Sequence, residues 1–182
     1  MLFFFIVGCT KENSIINDPQ TNISSFVPHE LSGIKIDKIE YLSNNDQGFI
    51  QKGLIYFTVI GKETISKQID NQLQVMKTPI ILNVFVCNKE TAIACEEYLS
   101  NGILQNNEGL IHKEVSISNK RIYYFEFQER GSLTEQNAGT VNSDSTTYLW
   151  CESKYCFQIL SYYQFEEDTR TLVKGVINTY AK

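Results

Sequence analysis

Apolar and polar residues alternate from Ile34 to Tyr41 (IKIDKIEY), and the phase slips between Ile36 and Ile39. Residues two apart share one face of a strand, so this segment predicts a strand interrupted by a bulge. Asn44 to Gly48 (NNDQG) reads as a turn. Phe49 to Ile60 predicts a second strand, apolar on both sides around Leu54–Val59 and therefore expected to be covered on both faces. From Lys62 to Lys77 the period changes. Ile65, Ile69, Leu73 and Met76 recur at spacings of 4, 4 and 3, which predicts an amphipathic helix stopped by Thr78-Pro79.

Ile80 to Cys87 (IILNVFVC) has the pattern of a buried strand. Asn88 then stands as the N-cap of a helix over Lys89–Ser100, with Gly102 just past its end. Ala92, Cys95 and Leu99 would face inward. Leu110–Ser118 and Arg121–Arg130 predict two strands joined tightly at Ser118-Asn119-Lys120. Gly131–Ser145 reads as a polar loop, and Thr146–Cys151 with Cys156–Tyr163 as a second hairpin. The last helix runs from about Glu166 to Tyr180. Leu172, Val173, Val176, Ile177 and Tyr180 form its apolar face, and Glu166, Glu167 and Asp168 sit at the positive end of its dipole. Together these segments predict an α+β fold: a mostly antiparallel sheet of about six to seven strands with two or three packed helices.

The beginning of the chain follows neither period. Met1 to Val7 is apolar but short of the roughly 20 residues that span a bilayer. Thr10 to Pro28 carries only isolated apolar residues, and a core strand followed by so long an unstructured connection is unfavourable. An apolar segment ending in a small residue before a cleavage point accounts for both features. Ile6-Val7-Gly8-Cys9 resembles the lipobox of bacterial lipoproteins. The resemblance implies a signal peptide over residues 1–8 and acylation of Cys9. The aperiodic stretch behind it reads as a lipid-anchored flexible tether over 9–28, and the remaining pattern as a single α+β domain over 29–182. The resemblance has a second implication. It places the protein in the bacterial cell envelope, held to the membrane through a lipid anchor. Thr10, not Asp, follows the cysteine, which implies the outer membrane where the host has one.

Cysteine parity agrees. The chain has five cysteines. Setting Cys9 aside leaves Cys87, Cys95, Cys151 and Cys156, the even set expected in an oxidising compartment. Of the three possible connectivities, local spacing favours Cys87–Cys95 and Cys151–Cys156, with four buried thiols as the alternative.

Charge narrows the partners. A net charge of -5 and a pI near 5.1 argue against nucleic acid and give no electrostatic attraction to anionic lipid. Candidate chemistry is sparse. The two histidines are His29 and His112; His112 shares a strand face with Glu114, but a third ligand is not apparent, so neither a metal nor a cofactor is expected. GxSxG, HExxH, P-loop and dinucleotide motifs are absent from the sequence. Glu96-Glu97 and Glu166-Glu167 read as solvated helix faces. Aromatic residues are dense: Tyr123, Phe125 and Phe127 fall on one strand face with Tyr124 on the other, and seven more cluster between Tyr148 and Phe165. Most read as core, while Tyr124, Trp150 and Tyr155 are candidates for a binding surface. The reading is a non-enzymatic binding or structural module of the envelope whose partner is a protein or small ligand. The alternatives are an envelope hydrolase with a carboxylate site, and an immunity- or inhibitor-type lipoprotein whose acidic domain blocks a basic partner.

Overall fold

The computed structural model describes residues 22–46, 49–62, 66–69, 72–75, 80–87, 89–105, 110–127, 145–162 and 165–180. Seven strands form one sheet: β1 (Ile34–Asp46), β2 (Phe49–Val59), β5 (Ile80–Cys87), β6 (Ile111–Ile117), β7 (Lys120–Phe127), β8 (Ser145–Glu152) and β9 (Tyr155–Tyr162). Their spatial order is β1-β2-β5-β9-β8-β7-β6, and every pairing is antiparallel. A separate two-stranded ribbon, β3 (Ser66–Ile69) with β4 (Gln72–Val75), connects β2 to β5. Two helices complete the α+β fold among the described residues: α1 (Ala92–Gln105) and α2 (Glu166–Tyr180).

The ribbon corrects the helix expected over Lys62–Lys77. Ser66 pairs with Val75 and Ile69 with Gln72, leaving only Asp70-Asn71 between the strands. Short apolar segments fit a strand pair as well as a helix, and the antiparallel pairing of residues 66–69 with 72–75 decides between them. The first turn is also shorter than expected, because β1 extends to Asp46 and β2 begins at Phe49. The bulge predicted between Ile36 and Ile39 lies between Ile36 and Lys38. β2 is covered on one face only: Ile55 and Phe57 are buried, whereas Leu54, Tyr56 and Thr58 are half-buried. The expected loop at Gly131–Ser145 lies outside the described residues except Ser145, which already belongs to β8.

Helix α2 forms where its apolar stripe predicts. Leu172, Val173, Val176 and Ile177 are buried on the inner face of the sheet against Ile55, Phe57, Leu82, Trp150, Phe157 and Ile159. Its buried hydroxyls are satisfied: Thr169 Oγ1 donates to the Phe165 carbonyl at 2.7 Å and lies 2.8 Å from Ser161 Oγ, which bonds Thr146 Oγ1 at 3.0 Å. Residues Asn22 to Pro28, read above as tether, belong to this layer. A 3₁₀ turn (Ile23–Phe26) buries Ile23, Phe26 and Val27, and Phe26 packs on Tyr155, Phe157 and Tyr180. Pro28 lies so close to α2 that a Cβ on Gly175 would come within 2.8 Å of its ring. The folded domain therefore starts by Asn22, not His29.

Tyr148 is 1% exposed and donates to Glu166 at the start of α2. Burial, reinforced by that hydrogen bond, pushes its phenol far above the usual tyrosine range. A folded-state pKa raised above the unfolded value near 10 contributes stability that is fully present below about pH 10 and is lost as pH rises beyond it. Tyr148→Phe is therefore expected to flatten the loss of stability above about pH 10, measured as urea midpoint against pH. An unchanged slope would show that Tyr148 does not carry it.

Candidate functional site

The chemistry-bearing residues gather on the outer face of the sheet, where α1 crosses the ends of β5, β8 and β9. Thr91 caps α1, accepting the Ala94 N–H at 3.1 Å. The helix thus begins three residues after the expected start and runs through Gly102, where an added Cβ would meet nothing within 4 Å. Cys95 is buried against the sheet as expected, with Ala92 and Leu99 half-buried beside it.

All four domain cysteines meet there. Cys87, Cys95, Cys151 and Cys156 form one cluster with Phe49, flanked by Phe85, Tyr98 and Leu99. Two disulfide-capable pairs result, and they are the two that local spacing favours. Cys87 ends β5 and Cys95 lies in the first turns of α1, with Cα atoms 6.2 Å apart. Cys151 and Cys156 oppose each other across the β8–β9 hairpin at 4.0 Å, one pair in from the turn at Ser153-Lys154. That position is a non-hydrogen-bonded pair, where antiparallel strands approach most closely. The Cys87 N–H continues the network by donating to the Lys154 carbonyl at 2.7 Å.

Glu96 corrects the expectation of a solvated acidic pair. It is 5% exposed, while Glu97 is exposed. Strand β7 pairs with β8 only as far as Tyr123 opposite Leu149, so beyond that point the Cys151 N–H has no strand partner. Glu96 Oε1 takes that place at 2.8 Å, and its Oε2 accepts from Arg121 at 3.2 Å. The hydrogen bond to Glu96 in turn raises the Arg121 pKa. A buried carboxylate held by a backbone N–H and a guanidinium ties α1 to two strands. Glu96→Ala strands the Cys151 N–H and is expected to cost about 1–3 kcal/mol. Chemical denaturation followed by circular dichroism measures this; a change below 0.5 kcal/mol would contradict the assigned role, since such values are typical of unengaged surface sites.

Beside α1, the outer face of β6 and β7 carries an aromatic group in which Phe125 is fully buried. His112 stacks on Tyr123 and Phe125 with ring centroids 5.6 and 5.0 Å apart, and Arg121 lies 3.7 Å from Glu114. His112 and Glu114 share this face as expected. Among the described residues no group of three His, Cys, Asp or Glu side chains could hold a metal ion. His29 is exposed at the start of the domain.

Two of the three aromatic surface candidates, Tyr124 and Trp150, are corrected. Trp150 is 0% and Tyr124 4% exposed, both facing α2 in the inner core, and Tyr155 is half-buried beneath Phe26. Even-numbered residues of β7 and β8 point to the covered face, so neither Tyr124 nor Trp150 can line an open groove. Glu166, read as solvated, is half-buried against Tyr148. Cys9 lies outside the described residues. No protein-family model, curated protein or solved structure matches the chain.

Proposed function

We propose that this protein is a membrane-tethered binding module of the bacterial envelope, anchored through a lipid on Cys9. The observation that supports this reading is the pairing of the cysteines. The four in the folded domain combine among themselves, and Cys9 is left as the odd one, inside the lipobox-like Ile6-Val7-Gly8-Cys9. Two disulfide-capable pairs suit an oxidising compartment.

Residues 22–28 pack into the domain, so the anchor at Cys9 lies few residues before it and the domain works close to the membrane, where it meets its partners. The net charge of -5 favours a partner with a basic surface, whose association weakens as salt rises.

The test is membrane fractionation of the full chain in a bacterial host, with crosslinking to partners, alongside Cys9→Ala. The native protein is expected in the membrane fraction with its crosslinked partner. Cys9→Ala is expected in the soluble fraction without it. Membrane retention of Cys9→Ala would overturn the anchor.

A further inference from the structure

Helix α1 holds to the sheet in an unusual way. It buries only Cys95, Glu96 and Ser100, whereas α2 buries Leu172, Val173, Val176 and Ile177. Two of its large aliphatic residues face outward, Ile93 56% and Leu104 36% exposed, while Leu99 is half-buried against the sheet. Cys95 is therefore the one apolar side chain that α1 fully buries. A helix of this length is marginal on its own in water, so its order depends on its docking. Among the described residues that docking comes from Cys95 opposite Cys87, Glu96 on the Cys151 N–H and Arg121, and Tyr98 stacked on Phe49 at 5.0 Å, with Ala92 and Leu99 packed beside them. Only the first can be covalent.

We infer that the Cys87–Cys95 pair is a redox latch: its disulfide clamps α1 over the outer face, and reduction by a dithiol releases the helix while the sheet and α2 stay folded. The step balances as thiol–disulfide exchange. A thiolate of the dithiol attacks Cys87 Sγ, which belongs to the more exposed residue of the pair, 6% against 1%. The Cys87–Cys95 bond breaks and its electron pair leaves on Cys95. The second thiol of the reagent then displaces Cys87 from the mixed disulfide. Two electrons pass to the protein, two protons end on Cys87 and Cys95, and the dithiol becomes a cyclic disulfide. Separated thiols no longer enforce the 6.2 Å approach of the two backbones, and the remaining polar contacts compete with water. Release uncovers Phe49 and the Cys151–Cys156 pair, which α1 now shields.

The latch is independent of lipidation, since it concerns the folded domain alone. Hydrogen–deuterium exchange on the full chain tests it, with and without dithiothreitol, reading peptides from α1 and α2 together. In the oxidised protein both helices are expected to be protected. Dithiothreitol is expected to speed exchange in α1 at least tenfold and leave α2 within twofold. Cys87→Ser/Cys95→Ser, which keeps Cys151 and Cys156, should reproduce that difference without reductant. Cys151→Ala/Cys156→Ala should leave α1 protected until dithiothreitol is added. An α1 that stays protected after reduction, or loses protection together with α2, would overturn the latch.

Discussion

Trp150→Ala is expected to lower stability by about 3–5 kcal/mol, the usual cost of truncating a fully buried large aromatic. Trp150 is 0% exposed, stacks on Phe157 at 5.2 Å, and sits at the centre of the sheet beneath α2. Its cross-strand partner Phe157 is itself fully buried and held in the sheet, which limits how far the space left by the indole can close. The indole N–H is buried without a hydrogen-bond partner among the described residues. Trp150→Phe therefore loses ring area but removes an unsatisfied donor, and should cost much less than the alanine variant. Urea unfolding followed by circular dichroism measures both as a shift in midpoint at constant slope. Equal losses for the two variants would contradict this account of the core.

The second large effect comes from adding a single methyl group. Gly53→Ala places a Cβ against the Glu40 carbonyl oxygen and 2.6 Å from Ile23 Cδ1. The first obstacle is backbone of the paired strand β1, which cannot rotate away. The second is the buried anchor of the 3₁₀ turn. Gly53 follows the bulge between Gln51 and Gly53, where β2 shifts register against β5. Such overpacking costs about 1–3 kcal/mol. Exchange protection of residues 22–28 should fall first, as Ile23 is displaced. The same change at Gly102 meets nothing within 4 Å and should favour α1 by about 0.5–1 kcal/mol. Destabilisation at both positions would mean that glycine is needed for some reason other than space.

Much of the fold was legible because its signals are local. Alternation and continuous apolar runs located the sheet strands, the apolar stripe located α2, and Ser118-Asn119 marked a two-residue turn in which both residues take positive φ. Spacing also favoured the cysteine partners, since a short hairpin and a strand-to-helix connection each bring their ends together. What local pattern left ambiguous was decided by tertiary contacts. Ile69 and Leu73 fit a helical stripe as well as two short paired strands. The 3₁₀ turn at Ile23–Phe26 is a single turn and shows no period. Alternation separated Tyr124 from Tyr123 without revealing that the Tyr124 side was the one α2 covers. Glu96 became a buried ligand for a backbone N–H only because β7 stops short of Cys151, a fact of three-dimensional pairing that no spacing encodes.

The central claim is that Cys9 carries a lipid. Feeding an alkyne-tagged palmitate to cells that express the full chain, then attaching a fluorophore to the isolated protein, tests it directly. The account predicts label on the native protein and none on Cys9→Ala. An unlabelled native protein, or equal label on both, would contradict it.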